Sequence, residues 1–197
     1  MRLGVFGGTF DPIHYGHLRI AEAAREALSL DSVMFVPVGV PVHRQVAPHG
    51  SAEARYQMCR LATEDNPAFE VSRIETDAQS PCFTVDTLAR LRMERPDAEI
   101  RLIIGADEAA IYPTWREPRT IVKQARLAVA MRPGIDAAEL QAALPRWVID
   151  AMDVLPPIFI GISSTDIRAR LTAGKSVRYL LPAPVEMYIE KNRLYRP

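Results

Sequence analysis

Residues 7–17 read Gly7-Gly8-Thr9-Phe10-Asp11-Pro12-Ile13-His14-Tyr15-Gly16-His17. The apolar run before them, Leu3 to Gly7, has the character of a buried strand. After them, Tyr15 to Leu28 reads as a helix, with Leu18, Ala21, Ala24 and Leu28 on one face at 3.6-residue spacing. A strand that turns through two glycines into a helix is the opening of a βαβ unit. The glycines let a backbone approach a ligand closely, and free N–H groups at a helix start favour a phosphate. His14 and His17, three apart, share a face of that helix start. Imidazole N–H donors there suit a polyphosphate and the charge that develops in phosphoryl transfer. The same pair would also serve as half of a zinc site, but no third ligand stands at a zinc-like spacing and no His-Glu-x-x-His run is present. The segment lacks the Gly-Lys-Ser/Thr of a Walker A loop and the G-x-G-x-x-G of a dinucleotide fingerprint.

Outward from this stretch the alternation continues. Strand character recurs at Val33 to Val38, Phe69 to Ile74, Ile100 to Ile104 and Leu127 to Met131. Helical patterns fall at Ala52 to Thr63 behind a Ser51 cap, and at Thr84 to Glu94 with Val85, Leu88 and Leu91 inward and Pro96 as the stop. Two more helices, Ser164 to Thr172 and Val185 to Asn192, follow. The alternation predicts an α/β fold, a single Rossmann-like domain over residues 1–197 with a mostly parallel sheet flanked by helices. In such sheets ligands bind beyond the carboxyl ends of the strands. Residues 39–50 and 76–82 read as loops.

A length of 197 residues suits one domain. With 48% hydrophobic and 24% charged residues the chain can build a core. Its 24 basic and 24 acidic side chains cancel. That balance excludes a nucleic-acid coat and a polybasic membrane binder, though not a local anion site, and residues 160–197 alone carry seven basic against three acidic groups. Two cysteines, Cys59 and Cys82, make neither a disulfide framework nor a metal motif. With no export signal and no apolar run of about 20 residues, the expectation is a cytoplasmic protein without nucleic-acid or membrane partners.

A second constellation is Ile162-Ser163-Ser164-Thr165-Asp166-Ile167-Arg168. Ser163 followed three residues later by Asp166 resembles a capping box, so hydroxyls and free N–H groups again form an anion site. Arg168 lies about one turn in and suits bidentate phosphate contact. An ordinary cap with a solvated arginine would use the same residues.

Together the two segments resemble the paired signatures of the nucleotidyltransferases that share the HxGH motif. Within that superfamily the chain resembles the bacterial nicotinate-nucleotide adenylyltransferases over nearly its whole length. Further matching pieces are Pro41-Val42-His43-Arg44, Phe83-Thr84-Val85-Asp86, Gly105-Ala106-Asp107, Tyr112-Pro113-Thr114-Trp115, Arg132-Pro133-Gly134 and Val177-Arg178-Tyr179-Leu180-Leu181-Pro182.

The resemblance implies transfer of the AMP part of ATP to nicotinate mononucleotide. The products are nicotinate adenine dinucleotide and pyrophosphate, formed by direct in-line attack, with Mg²⁺ accompanying ATP and no metal held by protein side chains. His17, His14 and Arg168 would be catalytic. Gly8, Thr9, Phe10, Gly105, Asp107, Ser163, Ser164 and Thr165 would join them in binding ATP, with the helices of about 163–197 completing that site. His43, Arg44, Thr84, Trp115 and Arg132 would hold the mononucleotide: Trp115 stacked on the pyridine, and the Thr84 N–H on the carboxylate. A homo-oligomer is compatible with all of this. An enzyme preferring nicotinamide mononucleotide, another HxGH transferase, and a non-catalytic adenine-nucleotide sensor are the alternatives. The chain departs from the family pattern at Arg44, where lysine is usual, and at Phe83, where tyrosine is common. Both departures lie on the mononucleotide side.

Overall fold

The computed structural model describes residues 1–40, 48–78, 80–131 and 134–196. His43, Arg44 and Arg132 lie outside them. The strands are β1 (Arg2–Gly8), β2 (Ser32–Pro37), β3 (Phe69–Val71), β4 (Glu99–Gly105), β5 (Arg126–Ala130) and β6 (Met152–Val154). The helices are α1 (Tyr15–Ala27), α2 (Ala52–Thr63), α3 (Thr84–Glu94), α4 (Ala106–Ile111), α5 (Pro118–Gln124), α6 (Ala137–Ala143), α7 (Arg146–Ile149), α8 (Ser164–Thr172) and α9 (Ala183–Lys191).

Among the described residues the strands form a six-stranded sheet in the order β3-β2-β1-β4-β5-β6. This is the order of doubly wound nucleotide-binding folds. The pairs β1–β4, β4–β5 and β5–β6 are parallel. The order reverses at β1–β4, where Phe6 stands opposite Ile103. The carboxyl ends of those two strands are Gly8 and Gly105. The expected α/β fold with a mostly parallel sheet flanked by helices is what the chain adopts.

The chain falls into two compact units. The first comprises Met1–Gly7, Ile20–Met34 and Phe83–Phe159. Its core is built on alternate faces of β1, β4 and β5, with Leu3, Val5, Leu102, Ile103, Leu127 and Val129 buried. In the same unit α3 buries Val85, Leu88 and Leu91 and packs on α5. The second unit comprises Gly8–Arg19, Phe35–Cys82 and Ile160–Pro197. There α2 packs on β3 and on α9, burying Met58, Cys59, Ala62, Val185 and Ile189.

Several expected boundaries hold to the residue. Ser51 caps α2, its hydroxyl accepting from the Ala54 N–H at 3.1 Å. Ser163 caps α8 in the same way, accepting from the Asp166 N–H at 3.1 Å. At α3 the cap is Phe83, which makes no side-chain capping bond, and Thr84 is the first helical residue, as expected. The strand expected from Phe69 to Ile74 ends at Val71, because the chain turns over residues 74–77.

Candidate active site

In the second unit the first signature forms a tight turn between β1 and α1. Phe10 takes a left-handed backbone conformation (φ 49°), which swings its ring inward. There it meets the His17 ring edge-on, at 5.0 Å between centroids, and the Phe35 ring at 5.7 Å. Gly8 is required by this arrangement, since a Cβ there would sit 2.9 Å from the Phe10 ring. Phe10 therefore supports the imidazole from behind. The Thr9 carbonyl is already engaged by Arg55, at 2.9 Å.

The two signature histidines stack, with centroids 3.7 Å apart and an interplanar angle of 22°. The His14 backbone N–H donates to His17 Nδ1 at 3.3 Å. A ring nitrogen that accepts carries no proton, so this bond assigns the His17 proton to Nε2. The His14 carbonyl accepts from the N–H groups of His17 (2.9 Å) and Leu18 (3.3 Å), starting the helix. Burial lowers the His14 pKa to about 4. Burial, and then the neighbouring His14, hold His17 well below its ordinary value. Both rings are therefore neutral donors at neutral pH. His14 is 5% exposed, and its Nδ1 has no hydrogen-bond partner among the described residues. A buried polar atom left without a partner is open to a water or a ligand atom. Gly16 follows from the same geometry, because a Cβ there would lie 2.9 Å from His14 Cε1 and Nδ1.

The second signature is joined to the first by direct bonds within this unit. Ser164 Oγ donates to the Pro12 carbonyl at 2.9 Å. Arg168 donates to the Asp11 carbonyl at 2.7 Å and lies 3.4 Å from Thr165 Oγ1. Ser163 and Thr165 are exposed or nearly so at the start of α8, with Asp166 turned aside into an ion pair with Arg170 at 3.0 Å. Residues 152 and 157 apart in sequence thus build one cluster of hydroxyls, backbone donors and a guanidinium beside two imidazoles. Such a cluster can neutralise a polyphosphate. Among the described residues no group of three His, Cys, Asp or Glu could hold a metal ion.

Two buried charges in this cluster were not legible as site residues. Arg55 is 1% exposed and donates to the carbonyls of Gly50 (3.1 Å), Thr9 (2.9 Å) and Gly39 (3.0 Å). Asp11 is 2% exposed, and its carboxylate accepts from the N–H groups of His49 and Gly50, each at 2.9 Å, and from the Tyr195 hydroxyl at 2.7 Å. A signal for Arg55 existed: it shares a helix face with Met58, Cys59 and Ala62, and a charge on an apolar face must be paired. Asp11 and Tyr195 left no such trace, because their pairing joins positions 184 apart.

In the first unit, β4 runs straight into α4, and Gly105 is both the last strand residue and the helix cap. Gly-Ala-Asp is therefore a strand-to-helix junction. The Gly105 N–H is held by Glu108 Oε2 at 2.9 Å, and Asp107 is exposed in the first turn of α4. Trp115 follows a 3-10 turn (Tyr112–Thr114) and leans on the buried Tyr112 ring, 5.3 Å between centroids, with part of its surface open. Next to it the Arg116 guanidinium lies 4.5 Å over the Phe83 ring and 3.9 Å from Asp86. Trp115, Arg116 and the start of α3 at Thr84 thus form one neighbourhood, in which Arg116 is a cation that sequence reasoning missed.

The family model described as cytidylyltransferase-like matches residues 5–170. A Thermus thermophilus protein named probable nicotinate-nucleotide adenylyltransferase is 46% identical over 199 residues, covering all of both chains. The Thermomicrobium roseum protein of the same name is 43% identical, covering 99% of this chain and 92% of its own. Among solved structures, the Plasmodium falciparum nicotinic acid mononucleotide adenylyltransferase complexed with NaAD superposes with a TM-score of 0.79 at 17% identity. That superposition covers 98% of this chain and 97% of the other, and at such identity it speaks to the fold. From its fold, its paired signatures and these likenesses, the chain belongs to the cytidylyltransferase-like nucleotidyltransferase family, alongside the nicotinate-nucleotide adenylyltransferases.

Proposed function

We propose that this chain transfers the AMP part of ATP to nicotinate mononucleotide, releasing pyrophosphate and nicotinate adenine dinucleotide in the cytoplasm. The observation that carries the reaction class is the direct bonding of the two signatures, Ser164 to Pro12 and Arg168 to Asp11, beside the neutral His14–His17 stack. The relatives' shared name supports the choice of mononucleotide. In this reading an oxygen of the mononucleotide phosphate attacks the α-phosphorus of ATP. The bond from that phosphorus to the pyrophosphate oxygen breaks in line with the attack. No protein nucleophile takes part, so the chain's contribution is positioning and charge neutralisation.

His17 donates from Nε2 to the phosphate oxygen on which charge grows, and His14 binds a neighbouring oxygen. Donors that are neutral and already fixed need no reorganisation as charge develops. Ser163, Ser164, Thr165 and Arg168 hold the β- and γ-phosphates, and the 163–197 helices complete the ATP site. ATP would arrive as its Mg²⁺ complex, and the metal would supply positive charge against that of the departing pyrophosphate. Gly8, Thr9 and Phe10 shape the phosphate turn, and Gly105 and Asp107 receive the ribose. Thr84, Trp115, Arg132, His43 and Arg44 serve the mononucleotide, with the first turn of α3 offering its N–H groups to the carboxylate.

A pyrophosphate-release assay with ATP and Mg²⁺ tests the reading. Nicotinate mononucleotide should turn over at least tenfold faster than nicotinamide mononucleotide, since a site that pairs a carboxylate disfavours the uncharged amide, by roughly that factor or more. Equal rates would overturn the specificity, and no release with either would overturn the activity.

A further inference from the structure

We propose that Tyr195 is a positioning residue for adenylyl transfer, acting as a staple that fixes the two phosphate-binding signatures against each other. The inference rests on the adenylyl-transfer reading above. Tyr195 is bonded at both ends. Its hydroxyl donates to Asp11 Oδ1 at 2.7 Å, in the first signature. Its carbonyl lies 3.2 Å from the Thr172 hydroxyl on α8, the helix of the second signature. The same Thr172 hydroxyl lies 3.0 Å from the Arg168 carbonyl, and Arg168 in turn donates to the Asp11 carbonyl at 2.7 Å. The loop closes through the one Thr172 proton, shared between the Arg168 and Tyr195 carbonyls: Asp11, Tyr195, Thr172, Arg168 and back to Asp11.

Three further features show how firmly the staple is set. Arg193 and Tyr195 both hold left-handed backbone conformations, φ 51° and 62°. Non-glycine residues adopt that region only at an energetic cost, so surrounding bonds must enforce it. Leu194 and Arg193 are tied back to α9 through the Ile189 and Glu190 carbonyls, which delivers the ring inward. Gly50 leaves room for the close approach, since a Cβ there would lie 3.1 Å from Tyr195 Oη and 3.0 Å from Asp11 Oδ1. Burial and the Asp11 charge raise the phenol pKa above its ordinary value, so Tyr195 remains a donor across the working range.

Asp11 itself is buried. Its carboxylate receives three donors, from His49, Gly50 and Tyr195, and its backbone carries the turn that leads into His14. Removing one donor lets that turn relax while the fold remains. Tyr195→Phe deletes only the hydroxyl. It should lower kcat by about tenfold, the scale of one hydrogen bond to a charged partner. The KM for the mononucleotide should stay within about twofold, because that substrate makes no use of this turn, and the melting temperature should fall by only about 4 °C or less. Thr172→Val opens the other end of the staple and should give a similar loss. The double variant should be no worse than about the more severe single one, as expected for residues acting as a unit. Unchanged kcat in Tyr195→Phe would overturn the proposal. So would losses that only track the fraction folded, or losses that simply multiply in the double variant. If the unsubstituted chain releases no pyrophosphate, the reaction reading fails first, and this proposal falls with it.

Discussion

A neutral imidazole has one proton to give and one lone pair to receive. At His17 the lone pair on Nδ1 is satisfied by the His14 backbone N–H, so the remaining proton has a fixed direction. That fixed donor is what separates a transition-state role from simple charge attraction. A protonated histidine would bind ATP in the ground state as strongly as later, and uniform binding does not raise kcat. His17→Ala should therefore lower kcat by about 100-fold or more, while ATP affinity falls by less than about tenfold, measured by turnover and by calorimetric titration. A parallel loss of both would make His17 a ground-state ligand, as in a nucleotide sensor. His14 completes the pair differently. Its Nδ1 is buried and without a partner among the described residues, and Gly16 keeps the space beside it clear.

At the scale of elements, the turn after β1 is held by side chains from α2 and α8 more than by its own backbone. Arg55 on α2 bonds three carbonyls, from Thr9, Gly39 and Gly50. Replacing it with methionine keeps the volume and removes every donor. Chemical denaturation of Arg55→Met should show a loss of about 3 kcal/mol or more, because buried carbonyls without partners cost about 1–3 kcal/mol each. Arg55→Lys should fall between, since an ammonium lacks the planar fork that reaches three acceptors. A variant as stable as the unsubstituted chain would mean that water or the loop replaces those bonds. Legibility in the sequence followed the same logic. Helices whose caps are local, α2 behind Ser51 and α8 behind Ser163, were readable to the residue. In the run from α4 to β6 only the strand β5 was legible, read one residue late. There α4 begins at a glycine with no side chain to cap it. The start of α5 depends on a left-handed Glu117 before Pro118. The Asp136 cap of α6 was a readable signal that went unused, its carboxylate accepting from Ala138 and Glu139. Among the site residues, both signatures were legible because their spacing is local. The ties between them were not, since no local pattern encodes a bond from Arg168 to Asp11.

The whole molecule carries one further property. Cys59 lies on the inner face of α2, fully buried, with its thiol pKa pushed up by burial, so it is scarcely ever a thiolate. Cys82 is partly exposed, takes part in no disulfide and stands two residues before Thr84. The native chain thus presents a single accessible thiol without any engineering. A maleimide should label one equivalent in buffer and two in urea, counted by mass spectrometry. A second equivalent in buffer would reveal that α2 opens. With one equivalent, a fluorophore at position 82 becomes a ready-made reporter at the entrance to α3, able to follow arrival of a mononucleotide by its emission on the unsubstituted chain.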